Sequence, residues 1–134
     1  MIGMGPYILH NETPMGQEFK DKILSEEKRV ELGLKMIAIC RIYMKDINIA
    51  ATTALQGLDP LGREKGVLAG ANIIMPSATK TSERGKYQLY NGKPNINDDA
   101  EKGKTELEKS LKKIGENVVY GKRGDSPHFF SRKK

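Results

Sequence analysis

The sequence lacks the features that mark metal-binding, membrane-spanning or secreted proteins. It has one cysteine, Cys40, so no internal disulfide can form, and it has no C-x-x-C pair or Cys/His cluster for zinc. No apolar run approaches the roughly 18 residues that a membrane span requires. The N-terminal stretch 1–14 has neither the basic segment nor the long apolar segment of a signal peptide. These absences predict a cytoplasmic protein that binds no metal cluster by itself.

The composition that remains suits a single small domain with a basic end. The chain has 134 residues, 37% of them hydrophobic and 30% charged, and a formal net charge of +6. This length allows one domain with a modest core. Residues 101–134 hold ten Lys or Arg and five Asp or Glu, so they carry +5 of the +6. The basicity therefore belongs to the C-terminal tail.

Strand and helix patterns alternate over the first 76 residues. Strands are predicted at 1–8, 47–53 and 72–75, the first ending in turn residues at 10–14. Ser25 is expected to cap a helix that reaches about Met44. One apolar face of that helix shows the three-to-four residue spacing of a buried side, and its members are Val30, Leu34, Ile37, Cys40 and Met44. Its charged residues, Lys28, Glu31, Lys35 and Arg41, keep largely to another side, so we expect an amphipathic helix.

A second helix is predicted after a loop that follows the strand 47–53 and runs through Gly57 to Asp59. Asp59 is expected to cap it and Pro60 to occupy its first position, with Gly70 ending it. Its buried side would consist of Leu61, Val67 and Leu68. A last helix is predicted over 98–114, ended by Gly115, and irregular structure from 121 onward. Its narrow apolar seam comprises Leu107, Leu111 and Ile114.

This alternation predicts an α/β fold. Strands that alternate with helices indicate parallel β/α units, and these units resemble consecutive parts of a (β/α)8 barrel of the TIM type. Because three strands cannot close a barrel, we expect about three β/α units of one, followed by a helical tail.

Residues at the strand ends are the candidates for chemistry, because barrels bind ligands at the C-terminal ends of their strands. These ends fall at 6–10, 52–53 and 75–77. Thr52 and Thr53 offer two hydroxyls and two backbone amides to an anion or a carboxylate. The alternative is that both are β-branched strand residues whose hydroxyls cap nearby backbone.

Other polar residues have structural explanations beside functional ones. His10 could act as a general acid or base, or stabilise its loop. Cys40 could be a reactive thiol, but its place on an apolar helix face favours a core residue. Arg63 and Glu64 are expected to form a solvated surface pair. The basic tail could contact phosphate, although its interspersed glutamates favour a solvated helix face.

Four linked motifs resemble a known enzyme family. They are GPYILHNETP, LKMIAICRI, NIAATTAL followed by PLGRE, and GANIIMPSATKTSERGKYQLYNGKP. In this order and spacing they resemble the C-terminal half of the [FeFe]-hydrogenase maturation enzymes, in the biotin synthase-like group of radical S-adenosylmethionine proteins. The resemblance covers 1–94 and identifies that range with the biotin and thiamin synthesis associated domain, which leaves 95–134 as the basic helical tail.

The resemblance implies a barrel whose N-terminal half binds a [4Fe-4S] cluster through three cysteines and cleaves S-adenosylmethionine to a radical. None of those cysteines is present, and 95–110 has none for an auxiliary cluster. By resemblance, the substrate cavity is lined by Thr52, Thr53, Met75, Tyr87 and Tyr90. The same resemblance implies that Met1, Pro6 and Ile8 form the apolar rim near S-adenosylmethionine.

These features predict the substrate-cavity half of a radical enzyme, either a fragment or a split gene product, that is inactive alone. In the second case, a chain carrying the N-terminal half-barrel would be its partner. One alternative is a non-catalytic basic interaction module that meets nucleic acid or an acidic protein. Another is a relative of biotin or methylornithine synthases. The resemblance predicts a small-molecule substrate, with no membrane partner and no nucleic acid.

Overall fold

A three-stranded parallel sheet organises the first half of the chain. The computed structural model describes residues 1–76, 79–84, 86 and 100–132. The strands are β1 (Ile2–Met4), β2 (Ile49–Ala51) and β3 (Ile73–Ile74). They lie in the order β1-β2-β3, and both pairs are parallel, with Ile2 opposite Ile49 and Ala50 opposite Ile73. The predicted strands and their parallel arrangement are confirmed, although each strand is shorter than predicted.

Helices precede and follow these strands. In the described part of the chain they are α1 (Pro14–Phe19), α2 (Glu26–Tyr43), α3 (Thr53–Leu58), α4 (Gly62–Leu68), α5 (Thr81–Arg84), α6 (Ala100–Lys113) and α7 (Pro127–Ser131). None of them, among the residues described, combines the length and apolar character needed to cross a lipid bilayer.

The long helix α2 begins as predicted. The Ser25 hydroxyl accepts a hydrogen bond from the Lys28 backbone N–H at 3.3 Å. Val30 and Ile37 are buried in the core, and Leu34 and Cys40 pack against it. The predicted apolar face is therefore confirmed for these four positions.

The other side of α2 differs from the prediction. Four large apolar side chains are exposed there, Leu32 at 42%, Met36 at 51%, Ile39 at 49% and Tyr43 at 85%. Arg41, predicted on the charged side, instead turns inward to the start of the sheet. The helix thus has a second apolar stripe, which the expectation of one apolar face and one charged face did not include.

Three short helices replace segments predicted as turn, loop or irregular structure. Thr13 caps α1 through a bond from the Gly16 N–H at 3.0 Å. Ser126 caps α7 in the same way. In both cases proline follows the cap, which favours a helix start. The predicted loop after β2 is the helix α3, held by Leu55, which is fully buried.

Helix α4 starts later than predicted and packs through a different side. It begins at Gly62, not Pro60, although Asp59 Oδ1 still accepts a bond from the Leu61 N–H at 2.9 Å. Leu61 and Leu68 are exposed, so the predicted buried side is wrong for both. The buried residues are instead Gly62, Arg63 and Gly66.

Glycine allows this packing because α4 lies close to β2 and α3. A Cβ on Gly62 would stand 2.2 Å from the Leu55 carbonyl oxygen, and one on Gly66 would stand 3.1 Å from the Ala51 Cβ. The apolar pattern could not predict that α4 packs through its glycine side. Gly62 and Gly66 allow the close approach because they have no side chain, and so they add nothing to an apolar pattern.

The core lies on one face of the sheet. Ile49 and Ala51 of β2 pack there against Leu55, Ala71 and the buried residues of α2. Side chains alternate between the two faces of a strand, so Gly3 and its neighbour Ala50 belong to the opposite face. Gly3 is exposed, and a Cβ there would meet no atom within 4 Å. At β1, the sheet is therefore covered on one side only.

The tail contacts the edge where the strands begin. In α6, Leu111 is buried and Leu107 is partly buried, and Ile114, directly after the helix, is also partly buried. The predicted apolar seam is therefore confirmed. Gly115 follows with a φ of +81°. Further on, the Gly124 carbonyl accepts a bond from Asn48 at 2.7 Å. The division into 1–94 and 95–134 remains a prediction.

Candidate functional site

The C-terminal edge of the sheet brings the ends of β1 and β2 into contact. Gly5 follows β1 and Thr52 follows β2. A Cβ on Gly5 would stand 2.4 Å from the Thr52 Oγ1 and 3.1 Å from the Ala54 Cβ. Glycine is therefore required at position 5, because any side chain would collide with the threonine hydroxyl.

The Thr52 hydroxyl is a buried polar group without a partner. Its oxygen is shielded from solvent, and it neither accepts nor donates a hydrogen bond among the described residues. Thr52 stands at the N-cap of α3, yet its side chain makes no capping bond. The alternative that this hydroxyl caps nearby backbone is therefore wrong for Thr52. Leaving such a group unpaired typically costs about 1–3 kcal/mol.

A second buried oxygen in the same helix also lacks a partner. Gln56 Oε1 is shielded from solvent and has no hydrogen-bond partner among the described residues. Gln56 lies four residues after Thr52, about one helical turn along α3. The sequence analysis missed this residue, because the segment was predicted as a loop. A helical interpretation would have placed Gln56 on the same side of α3 as Thr52.

The remaining predicted residues divide between several places. Thr53 opens α3, while Pro6 and Ile8 follow β1 and Met75 follows β3, all beyond the C-terminal ends of their strands. Met75 is 51% exposed. The structure therefore places the three strand ends along one edge, as the parallel sheet requires.

Other predicted residues are not brought to this edge. Met1 precedes β1 and so lies at the opposite edge, about 13 Å along the chain from Gly5 at the usual rise per strand residue. Tyr87 and Tyr90 lie outside the described residues, and so does Ser77. Their proposed roles remain predictions from the resemblance.

An apolar groove of about 340 Å³ lies between the end of β1 and α2. Its strand side is formed by 4–7 and its helix side by Arg29, Leu32, Gly33 and Met36. The Arg29 guanidinium donates to the Tyr7 carbonyl and so fixes the chain leaving β1. The sequence analysis did not predict this groove, because Leu32 and Met36 lie outside the expected apolar face.

Three residues with alternative explanations now have defined surroundings. His10 accepts a bond from the Glu12 N–H at Nδ1, and its carbonyl accepts one from the Thr13 hydroxyl, which suits the loop role. Cys40 packs against the core. Arg63 is only 8% exposed, so the predicted solvated pair with Glu64 is wrong for the arginine.

At the opposite edge, a hydrogen-bond network joins the strand starts. Arg41 donates to the Ile47 carbonyl at 2.8 Å and to Asn72 Oδ1 at 3.0 Å. Asn72 Nδ2 donates to Asn48 Oδ1 at 2.9 Å, and Asn48 in turn donates to the Gly124 carbonyl. The network is structural, because each of these contacts satisfies a group of the fold itself.

A charged contact supports the start of α4. The hydrogen bond from Lys65 holds the pKa of Asp59 below its ordinary value of 3.8, and the Leu61 N–H acts in the same direction, against the opposing effect of burial. The Asp59 carboxylate therefore stays ionised at neutral pH and stabilises the turn into α4.

These features define an α/β protein of consecutive parallel β/α units, with two unpartnered buried oxygens close to the C-terminal end of its central strand. No established family profile matches the chain. The chain is similar to the [FeFe] hydrogenase maturase subunit HydE of Thermotoga maritima, with 45% identity over 93 residues. The similar stretch covers 69% of this chain and 25% of that protein.

The similar stretch necessarily contains the part of the candidate site that follows β2 and β3. Only 41 of the 134 residues lie outside a stretch of 93, so residues 42–93 fall within it wherever it begins. It therefore includes Thr52, Thr53, Gln56 and Met75. The similarity confirms the resemblance to hydrogenase maturation enzymes for this part of the chain, while the biotin and thiamin synthesis associated domain stays a prediction.

Proposed function

We propose that this chain forms the substrate-cavity portion of a radical S-adenosylmethionine enzyme of the [FeFe]-hydrogenase maturase type. The observation that carries the proposal is the 45% identity over 93 residues to HydE. That similarity is also the reason for preferring a maturase to a biotin or methylornithine synthase.

The unpartnered oxygens at the C-terminal edge support a ligand there. The Thr52 hydroxyl and the Gln56 amide oxygen are both buried without partners among the described residues. A polar ligand would supply the missing bonds, since a hydroxyl can donate to a carboxylate and an amide oxygen can accept from an N–H or O–H group. In this proposal Thr53, Met75, Tyr87 and Tyr90 complete the cavity wall.

The exposed position of Gly3 in β1 supports a larger assembly, although its neighbour Ala50 on the same face of the sheet is buried. Parallel sheets are normally covered on both faces, yet Gly3 has no neighbour within 4 Å of its Cβ position. In the proposed (β/α)8 barrel, this open face would turn toward the enclosed cavity. The chain would then contribute one wall, and the rest would come from the three quarters of a HydE-type protein that the similarity does not cover.

The iron–sulfur cluster of this enzyme class does not fit the chain. Such a cluster, which supplies the electron for cleaving S-adenosylmethionine, is held by several cysteine thiolates, and the sequence has one cysteine. Over the described ranges, no group of three or more His, Cys, Asp or Glu side chains could hold a metal ion. We therefore propose that Met1, Pro6 and Ile8 contribute only to the rim near S-adenosylmethionine, and that the isolated chain is inactive.

A chimera tests the proposed function. The matched residues of this chain would replace the 93 similar residues of Thermotoga maritima HydE. The purified chimera would receive iron and sulfide to build its cluster, and dithionite as the one-electron reductant. We expect it to release 5'-deoxyadenosine from S-adenosylmethionine and to activate an apo-[FeFe] hydrogenase. A chimera that folds and binds its cluster, yet releases no 5'-deoxyadenosine, would contradict the proposal.

Variants at Thr52 test the cavity within the same chimera. Thr52→Val removes the hydroxyl at nearly constant volume, and we expect it to lower hydrogenase activation at least tenfold. Thr52→Ser keeps the hydroxyl and should retain activation. Equal activity of the two variants would show that the hydroxyl does not contact the ligand.

The isolated chain provides the negative control for this proposal. After the same treatment with iron, sulfide and dithionite, we expect no 5'-deoxyadenosine above background, because one cysteine cannot replace the three of the cluster motif. Reductive cleavage by the isolated chain would overturn the claim that it is inactive alone.

A further inference from the structure

We propose that the end of the molecule where the strands begin binds the surface of a membrane that contains anionic lipids. The binding surface is the basic aromatic patch, which consists of five exposed residues, Met44, Lys45, Phe129, Phe130 and Arg132. The inference goes beyond the proposed function and does not rest on it, because the patch lies at the edge of the sheet opposite to Thr52.

Two segments that are far apart in the chain form the patch. The His128 N–H of α7 donates to the Asp46 carbonyl at 3.1 Å, and His128 Nδ1 lies 3.1 Å from Asp46 Oδ2. These residues are 82 positions apart. Met44 and Lys45 lie between the end of α2 and Asp46. The contacts of His128 therefore hold α7 beside the end of α2.

Two phenylalanines provide most of the apolar surface of the patch. Phe129 is 39% exposed and Phe130 is 48% exposed. Their ring centroids are 5.6 Å apart in an edge-to-face arrangement. Because a phenylalanine buries roughly 150–250 Å² when it is covered, the pair leaves roughly 150–200 Å² of aromatic surface in water. Transfer of this surface to an apolar phase is favourable.

The charge around the phenylalanines is positive. Residues 121–134 contain five Lys or Arg and one Asp, so their net charge is +4. The carboxylates beside α7 already contact cationic or histidine side chains, since Asp125 pairs with an arginine and Asp46 contacts the histidine of α7. Lys45 and Arg132 form no ion pair in the described part of the chain. The patch therefore attracts anions.

A fluid anionic surface suits the patch better than a macromolecule of fixed shape. A stable protein interface buries about 800 Å² on each partner, several times the aromatic area available here. A DNA duplex would use the cations and leave the phenylalanines in water. Lipid headgroups diffuse, so they can gather beside cations that come from separate segments. Aromatic side chains next to Lys and Arg are the combination that binds at membrane interfaces.

The attachment would be to the membrane surface only. No helix in the described ranges could cross a bilayer. The expectation of no membrane partner came from a resemblance over 1–94, whereas α7 belongs to the tail. Binding through the patch would direct the Thr52 edge away from the lipid, so small molecules in solution could still reach it.

Tryptophan fluorescence tests insertion directly, because the sequence contains no tryptophan. The full chain carrying Phe130→Trp would be mixed with vesicles of phosphatidylcholine that contain about one third phosphatidylglycerol. We expect its emission to shift to shorter wavelength, and to stay unchanged with phosphatidylcholine alone. Phe19→Trp is the matched control, since Phe19 is 38% exposed on α1 and also has a lysine over its ring. The control should show no shift.

Sedimentation with the same vesicles separates the apolar contribution from the charge. We expect Phe129→Ser with Phe130→Ser to weaken binding at least about tenfold. Removing two cations by Lys45→Gln with Arg132→Gln should also weaken it at least about tenfold.

A charge-matched control accompanies these variants. Lys28→Gln with Lys35→Gln removes the same charge from α2, where both lysines pair with Glu31, and should change binding less than about twofold. Raising the salt from about 0.1 M to about 1 M should also weaken binding, because the Debye length falls from about 10 Å to about 3 Å.

Several results would overturn the proposal. These are absence of binding to the anionic vesicles, an unshifted emission of the Phe130→Trp variant, and equal weakening by the α2 control. Binding that the phenylalanine variant retains would also overturn it. If that binding extends to polyglutamate or to a DNA duplex with the same salt dependence, the cations serve an acidic protein or a nucleic acid instead.

Discussion

The side chain of Arg41 packs directly against the backbone of Gly70. The Arg41 Nε donates to the Gly70 carbonyl at 2.8 Å. A Cβ on Gly70 would stand 2.8 Å from the Arg41 Cβ, and the glycine φ is +117°. Glycine is therefore required at position 70 for conformation and for space, and the arginine holds the turn between α4 and β3.

Gly70→Ala should lower the free energy of unfolding by about 1–3 kcal/mol, the usual cost of a strained backbone conformation. Urea denaturation of the full chain measures this change. Gly103→Ala is the control, because a Cβ there meets nothing within 4 Å and lies inside α6. That control should stabilise the helix by up to about 1 kcal/mol. Equal effects of the two substitutions would contradict the role of Gly70.

Arg41→Lys should destabilise the chain by about 2–4 kcal/mol, because a charged hydrogen-bond network loses most of its donors. The arginine donates to carbonyls at 44, 45, 47 and 70 and to Asn72. A lysine ammonium cannot reach acceptors spread in this way. Arg123→Lys, at an exposed ion pair with Asp125, should change stability by less than about 1 kcal/mol.

Asn48→Ala should loosen the tail from the sheet. Asn48 connects Asn72 to the Gly124 carbonyl, so its loss removes a contact on both sides. We expect hydrogen exchange of peptides from 116–132 to increase, with little change in α2. Equal increases in both regions would indicate general unfolding and would contradict a local role.

Thr52→Val in the isolated chain should leave stability unchanged or raise it by up to about 1–2 kcal/mol, because an unpaired buried hydroxyl is removed at constant shape. Thr13→Val is the contrast. The Thr13 hydroxyl caps α1 and donates to the His10 carbonyl, so its loss should cost about 1 kcal/mol. Clear destabilisation by Thr52→Val would show that its hydroxyl has a structural partner.

Asp59 should make the stability depend on pH in the acid range. Its folded-state pKa lies below 3.8, chiefly through the Lys65 hydrogen bond. A carboxyl group whose pKa is lower in the folded state stabilises the fold at pH values above its unfolded-state pKa. This stabilisation is lost as the pH falls through the folded-state pKa. NMR titration should therefore find Asp59 ionised below pH 3.8, and Lys65→Met should move its pKa upward. An unchanged pKa in this variant would exclude Lys65 as the cause.

Local signals in the sequence predicted the main elements of the fold. Ser25 marks the start of α2 through its capping chemistry, and Gly70 marks the turn before β3 through its positive φ. The strand order followed from the alternation of strands and helices. For the start of α2 and the turn at Gly70 the decisive interaction lies within a few residues, so the local sequence contains the information.

The errors arise where packing between distant segments decides the outcome. Leu61 and Leu68 were predicted to be buried because they are apolar, but α4 instead approaches β2 through Gly62 and Gly66. The stripe on α2 was missed for the opposite reason, since its apolar side chains were expected to be buried or absent there but are exposed. At the candidate site, Thr52 was predicted from its position after a strand, whereas Gln56 depended on a helix that was not predicted.

The contacts of the tail have a practical consequence for handling the protein. Met1 precedes β1, and residues 124–128 contact Asp46 and Asn48, so both described ends of the chain lie at the sheet edge away from Thr52. A purification tag or a surface tether attached at either end would therefore leave from that side. A chain immobilised in this way should present the Thr52 edge to the solution, where small molecules can be tested directly.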